Sequence, residues 1–318
     1  MKTETNYSEI ELKTKQIYLE QHKNYFKDDS IFKRHLSAAQ NVETYDLPQS
    51  YFQGKSVLDA GCGNTGYFEV AMYNLGAKHV TCLDIGEEWK EEIDKVLFKN
   101  KIPSGFCKYQ SGSTIDIPFA DETFDFVVSY GVIMHLETTE MAGKAISELT
   151  RVTKMPGVLY SHIGIDKPGI VDRYIVKALR AAYQEDSEFK DFIDTIDHNS
   201  INNELNNIYK YSQEYDPRLK EIPESFFSDL VTLDSATFWQ NMLQVPIQQG
   251  PQLSEEWGKQ EMAKNGLVNI RRPKGSYWLR NDFRRFLAPL HFSLNSPLAR
   301  LFYGNGHVKL TAEKPGQN

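Results

Sequence analysis

Between residues 51 and 163 the chain alternates short apolar runs with longer stretches whose apolar positions recur at helical spacing. The runs at 56–60, 79–84, 106–110, 124–129 and 157–163 read as strands, and helices are expected near 66–76, 87–99 and 139–153. Met155-Pro156-Gly157 supplies a turn between the last of these helices and the last strand. Strands that alternate with helices imply a parallel sheet with right-handed crossovers, an α/β doubly wound layout. Ligands of such sheets bind at the carboxyl ends of the strands.

The flanks follow a different rhythm. Residues 1–50 carry apolar positions at helical spacing, from Ile10 and Leu12 through Ile17, Tyr18 and Leu19 to Tyr25 and Phe26, and predict an N-terminal helical cap. Residues 51–163 are the core. Residues 164–250 break its alternation with two helical stripes, Val171, Tyr174, Ile175, Ala178, Leu179 and Ala182, then Phe189, Phe192, Ile193 and Ile196. The asparagine-rich 199–207 and the stretch from Asp216-Pro217 to Ile222-Pro223 are loop-like. So long a connection is read as an inserted helical lid. In 251–318, Leu253 to Asn265 predicts a helix ending at Gly266, and 267–270 and 307–310 read as two closing strands around a further insertion at 275–305.

The glycine-dense turn carries the chemistry. Val57-Leu58-Asp59-Ala60 runs into Gly61-Cys62-Gly63-Asn64-Thr65-Gly66, and a second strand ends in Thr81-Cys82-Leu83-Asp84. Glycines let a backbone turn tightly and approach a ligand with no Cβ in the way. A carboxylate at the tip of the second strand can accept both hydroxyls of a ribose. Gly61-x-Gly63-x-x-Gly66 also matches the dinucleotide fingerprint, which keeps an NAD-dependent oxidoreductase as an alternative. Asp59, two residues before the first glycine, would repel a pyrophosphate and can reach toward the ammonium of a methionine moiety.

With the downstream run Ile117-Pro118-Phe119-Ala120-Asp121-Glu122-Thr123-Phe124-Asp125 through Ser129-Tyr130-Gly131-Val132-Ile133-Met134-His135-Leu136, these segments resemble the class I S-adenosylmethionine-dependent methyltransferases over about residues 54–164. The family usually has one residue between its last two glycines, whereas Asn64 and Thr65 make two here. The resemblance implies a Rossmann-like, mostly parallel sheet with an antiparallel hairpin at its edge. It implies S-adenosylmethionine as cofactor and S-adenosylhomocysteine as product. Gly61, Cys62, Gly63 and Gly66 would pass under the methionine and ribose, Asp84 would bind the ribose hydroxyls, and Ile85 would pack on adenine. Ser113 and Thr114 stand where the family often has an acid for the adenine amino group, with Asp116 as a substitute. Ser129 and Tyr130 would end the fourth strand beside the methyl group, and Asp59 would act through loop structure or water.

A sulfonium methyl is already activated, so the protein mainly aligns an acceptor and excludes water. A nitrogen or oxygen acceptor also needs its proton removed, and His135 and His162 are the candidate bases. A thioether acceptor needs none. The lid supplies Phe226, Phe227, Phe238 and Trp239 with Gln240 and Asn241, of which Trp239 and Asn241 are candidate substrate contacts. Arg271-Arg272-Pro273-Lys274 and Arg280 to Arg285, with Tyr277 and Trp278 between, fit a carboxylate, a phosphate or RNA, and Arg272 is the candidate anion ligand. Aromatics at helical spacing also fill cores, and basic runs also make solvated faces.

Composition narrows the partners. A net charge of −7 gives no global footprint for nucleic acid, although it leaves room for a local patch. No apolar run approaches the ~20 residues of a membrane helix. The polar N-terminus is unlike a signal peptide. Cys62, Cys82 and Cys107 show no metal-ligand spacing, so no metal is expected, and their odd number gives no disulfide framework. A cytoplasmic enzyme acting on a small molecule, with an anion as one option, is the reading these features favour. An RNA-modifying enzyme of the transfer RNA wobble-uridine type and a cofactor-binding partner without turnover are its alternatives. The Asn-Pro-Pro-Tyr segment of DNA base methylation and the paired-glutamate loop of protein arginine methyltransferases are missing.

Overall fold

A computed structural model describes residues 29–165, 253–273 and 307–316, together with Leu12 and part of 181–191. Its seven-stranded sheet runs in the order β3-β2-β1-β4-β5-β7-β6. The strands are β1 Ser56–Ala60, β2 His79–Asp84, β3 Cys107–Ser111, β4 Phe124–Ser129, β5 Thr153–Ile165, β6 Val268–Arg271 and β7 His307–Lys314. The helices are α1 Asp29–Gln40, α2 Tyr67–Asn74, α3 Lys90–Lys99, α4 Thr139–Val152 and α5 Glu255–Lys264. Strands β1 to β5 pair in parallel, and β7 runs antiparallel between β5 and β6. The doubly wound α/β sheet with an antiparallel edge is the layout expected.

Central strands of such a sheet are covered on both faces, which is why β1 is buried at every position. On one face Val57, Val80, Cys82, Phe126, Val128 and Tyr160 pack with Phe68, Ala71 and Met72 of α2 and Ile93 and Leu97 of α3. Tyr45 and Phe52, from the turns after α1, add edge-to-face contacts on Phe126 at 5.5 and 5.3 Å between centroids. On the other face Leu58, Val127, Leu159 and Leu310 meet Ala142, Ala145, Ile146 and Leu149 of α4 and Met262 of α5. The helix starts are capped as their sequences allow. Thr138 Oγ1 accepts from Met141 N–H at 3.1 Å before α4, and Ser254 Oγ accepts from Trp257 N–H at 3.1 Å before α5.

Two strand ends differ from the sequence expectation. Met155-Pro156-Gly157 is no turn before the fifth strand but an irregularity inside it. Phe124 pairs with Thr153 and Phe126 with Val158, so β5 carries surplus residues against β4. Gly157 is needed there, since a Cβ would sit 2.6 Å from the Lys154 carbonyl oxygen. The last strand also runs to Lys314 rather than ending near 310. Its end is held because Lys314 Nζ donates to the carbonyls of Thr150 at 3.0 Å and Thr153 at 2.8 Å, where α4 ends.

The chain divides into two compact units, one of Met1–Ile165, Gln248–Ser276 and His307–Asn318, the other of Asp166–Ile247 and Tyr277–Gly306. Most of the expected N-terminal cap, and the expected lid and second insertion almost entirely, lie outside the described residues.

Asp125 ties β4 to β1 and β5. Its Oδ2 accepts from Ser56 N–H at 2.9 Å, Ser56 Oγ at 2.6 Å and Lys154 Nζ at 3.0 Å. Burial works to raise this carboxyl, but the Ser56 and Lys154 bonds outweigh it and hold it at about 2. A depressed acid stabilises the fold above its unfolded value and loses that contribution as pH falls through the folded one. Asp125→Asn should therefore lower the unfolding free energy at neutral pH by about 2 kcal/mol. Urea titrations should show this deficit shrinking as pH falls from about 4 toward 2. A deficit independent of pH would contradict the network.

Candidate functional site

The loops after β1, β2 and β3 interlock at the carboxyl end of the sheet. Gly61 and Cys62 donate their backbone N–H groups to Leu83 O at 2.7 and 3.2 Å. Asp84 then spans the gap between strand tips: Oδ2 accepts from Gly63 N–H at 2.7 Å and Oδ1 from Ile85 N–H at 2.6 Å. A carboxylate has about four lone-pair sites, more than these two backbone bonds use. Gly61 sits at φ +89°, and a Cβ there would fall 2.0 Å from Val132 Cγ2, in the loop after β4. Gly66, at φ +68°, leads into α2, and its Cβ would meet Val96 of α3 at 2.8 Å. The extra pair Asn64 and Thr65 is buried within this loop.

On the β2–β3 side, Gly112 N–H donates to Asp84 O at 3.0 Å and Gly86 N–H to Ser111 Oγ at 3.2 Å. Trp89 Nε1 donates to Gly86 O at 2.9 Å, which fixes the chain beyond the half-buried Ile85. Ser113 and Thr114 are buried, and Ser113 Oγ accepts from Ile115 N–H at 3.4 Å. Asp116 is exposed and bridges back to Ser113 through the backbone.

Beneath the loop lies a group that sequence reasoning reached only in part. Asp59 is buried beside Glu69 of α2, which has no exposed surface and accepts from Cys82 Sγ at 3.2 Å through Oε1. Burial, then the neighbouring acid and Asp84, raise Asp59 well above the usual carboxylate range, and burial raises Glu69 as well. The pair therefore shares a proton instead of carrying two charges. Glu69 had a visible signal, an acid inside the apolar run Tyr67 to Met72. Burial pushes the Cys62 and Cys82 thiols up too, which leaves them inert packing groups.

At the tips of β4 and β5 the described residues bring Tyr130 and His162 together, ring centroids 5.1 Å apart. Lys309 of β7 places its ammonium 4.9 Å from the Tyr130 ring centre. Tyr45, Tyr67 and Tyr160 gather on the same side, and burial raises all three phenols. Ser129 faces Ser161 across the β4–β5 pair, and both hydroxyls are buried with no hydrogen-bond partner among the described residues. His135 closes the short turn Ile133–His135 after β4, where burial lowers its pKa to about 4. Trp239 and Asn241 lie outside the described residues. Arg272 is engaged by Glu255 at 3.1 Å, while Arg271 is held by Asp46 and Glu313 at 2.5 and 2.8 Å. Tyr45, Tyr67, Tyr160 and Lys309 carried no signal, because only the fold brings them to one end of the sheet.

Residues 58–161, the stretch from β1 through β5, match the family described as "Methyltransferase domain". The chain carries a class I S-adenosylmethionine-dependent methyltransferase domain. The cradle fits that cofactor, since Asp84 presents its carboxylate at the second strand tip, against the backbone N–H of Gly63 in the glycine loop. The methyltransferase domain is similar to O-methyltransferase resE of Aspergillus sclerotiorum, 29% identical over 98 residues that cover 31% of this chain and 36% of that protein. It is 30% identical over 112 residues to the probable tRNA methyltransferase 9B of Mus musculus, covering 35% of this chain and 22% of that protein. The fold is shared with PKMT2 from Rickettsia typhi in complex with AdoHcy, at a TM-score of 0.54 and 14% identity over 88% of this chain and 53% of that one. The matched part spans about a third of the length of the first curated relatives. Among the described residues no helix is long and apolar enough to cross a membrane.

The depressed pKa of His135 makes a spectroscopic prediction. Its ring resonances should stay at their neutral positions from pH 8 down past 6 and move with a midpoint of about 4. A midpoint near the ordinary histidine value, about 6.5, would contradict its burial.

Proposed function

We propose that the protein transfers the methyl group of S-adenosylmethionine to a small-molecule acceptor at N, O or S, by in-line displacement. The observation that carries the substrate class is the commitment of the described arginines to the fold. Arg271 and Arg272 are neutralised by Asp46, Glu313 and Glu255, so they give no basic surface for a polynucleotide. RNA modification is the second reading, favoured by the likeness to a protein named as a probable tRNA methyltransferase. The net charge of −7 weighs against it.

When bound, S-adenosylmethionine supplies an activated methyl on a sulfonium. The chain's own residues bind, orient and deprotonate. In this reading Asp84 accepts the ribose hydroxyls, Gly61 and Gly63 admit the ligand to the backbone, and Ile85, Ser113 and Thr114 meet adenine. Tyr130 and Ser129 end β4 at the methyl side. His162, buried against Tyr130, is the stronger candidate base for an N–H or O–H acceptor. His135, with its pKa at about 4, is a weak base that stays neutral and suits orientation better than proton transfer. From their chemistry in the sequence, Trp239 and Asn241 stay proposed as substrate-binding residues, and a cytoplasmic location is part of the same reading.

Transfer of labelled methyl from S-adenosylmethionine into an extract of the host, separated into metabolites, RNA and protein, should place label in the metabolites. Label confined to RNA would overturn the substrate class. His162→Gln should then cut turnover by about 10²-fold or more at unchanged S-adenosylhomocysteine affinity. Full turnover in that variant would remove His162 from proton transfer and point to a thioether acceptor.

A further inference from the structure

Strand β7 carries two buried lysines with opposite surroundings. Lys314 donates to the carbonyls of Thr150, Arg151 and Thr153 at 3.0, 3.4 and 2.8 Å. Lys309 is only 5% exposed as a residue, yet among the described residues its ammonium has no hydrogen bond or ion pair and lies over the face of Tyr130. A cation–π contact contributes about 0.5–2 kcal/mol. The ring face takes up none of the ammonium's three N–H donors in a conventional hydrogen bond, so they remain able to meet an anion. The carboxyl pair nearest this end of the sheet, Asp59 and Glu69, shares a proton and pairs with no lysine.

A second buried group on this face lacks a partner. Lys309 stands directly opposite His162 on β5, and Tyr160 lies two residues back, on the same side of the strand. Tyr160 is 1% exposed, and its hydroxyl has no hydrogen-bond partner among the described residues. Lys309 and Tyr160 thus lie on one face of the β5–β7 pair, Lys309 over Tyr130 and Tyr160 one step further from the strand tips. We propose that Lys309, assisted by the Tyr160 hydroxyl, is the seat for a carboxylate or phosphate group of the methyl acceptor, which makes that acceptor an anion.

This inference rests on reading the β4–β5 end as the acceptor side. The sheet order supplies the reason for assigning the anion to the acceptor rather than to the cofactor's own carboxylate. Asp84 and the glycine loop belong to β1 and β2, while β4 and β5 stand between β1 and β7. At about 4.8 Å per strand, three spacings put the β7 backbone at Lys309 about 14 Å across the sheet from the glycine loop, and its ammonium reaches back only as far as Tyr130, after β4. An acceptor presented at the methyl side beside Tyr130 meets that ammonium first.

The test uses the full-length protein saturated with S-adenosylhomocysteine and titrated calorimetrically with benzoate and with inorganic phosphate. Wild type should bind at least one of them at millimolar concentration. Lys309→Met should weaken that binding at least tenfold, and Lys309→Arg should stay within about threefold of wild type. Because Lys309→Met removes a cation that makes no ion pair among the described residues, its melting temperature should be no lower than wild type, whereas a merely structural lysine would lower it. If the Met variant does not fold, Lys309→Gln replaces it with the same expected loss. Equal anion affinity in wild type and variant, or binding of neither anion by wild type, overturns the proposal. Loss of S-adenosylhomocysteine affinity with 5′-methylthioadenosine affinity retained would give the anion to the cofactor and overturn the acceptor assignment. None of these readings needs turnover, so a failure of methyl transfer is scored separately.

Discussion

The carboxylate of Asp84 is the constraint on which the rest of the site depends. It accepts one backbone N–H from the glycine loop and one from its own following residue, at 2.7 and 2.6 Å, and so joins the tips of β1 and β2. Charge-assisted bonds of this kind are about twice as strong as neutral ones. With Leu83 O taking the two N–H groups of Gly61 and Cys62, they hold a loop too rich in glycine to hold itself. The loop after β4 then closes on Gly61 through Val132, where any side chain would collide. A ligand bound here meets a surface already shaped, and little ordering remains to be done on binding.

Charge is distributed unevenly around that surface. On the β1 side two carboxyls are buried under the loop and share a proton, with a thiol as their neighbour. On the β5 and β7 side a buried ammonium rests on an aromatic face beside a histidine and an unpartnered phenol. A cationic methyl donor and an anionic acceptor would each find the complementary end. Of the arginines that the sequence singles out, Arg271 and Arg272 are used elsewhere, to fasten β6 to the turn after α1, to β7 and to α5.

Much of this was legible in the chain, for physical reasons that also mark where legibility ends. The parallel strands show as apolar runs because both faces are covered, and Gly61, Gly63, Gly66 and Asp84 show because tight turns and a strand-tip acid leave few residue choices. The irregular start of β5 was hidden, since Met155-Pro156-Gly157 has the local chemistry of a turn and only pairing with β4 draws it into the sheet. Lys309 was hidden for a related reason. In His307-Val308-Lys309-Leu310 an alternating lysine looks like the wet side of an edge strand, but β7 lies between β5 and β6 and is covered. Whether Arg271 and Arg272 bind a ligand or a neighbour depends on acids as distant as Asp46 and Glu313, which no local pattern reports.

Calorimetric titration of the purified protein with S-adenosylhomocysteine and with NAD tests the central claim most directly. The account predicts micromolar binding of S-adenosylhomocysteine, a loss of about thirtyfold or more in Asp84→Ala from removing a charged acceptor for two hydroxyls, and no measurable binding of NAD. Tighter binding of NAD, or undiminished binding of S-adenosylhomocysteine by Asp84→Ala, would contradict it.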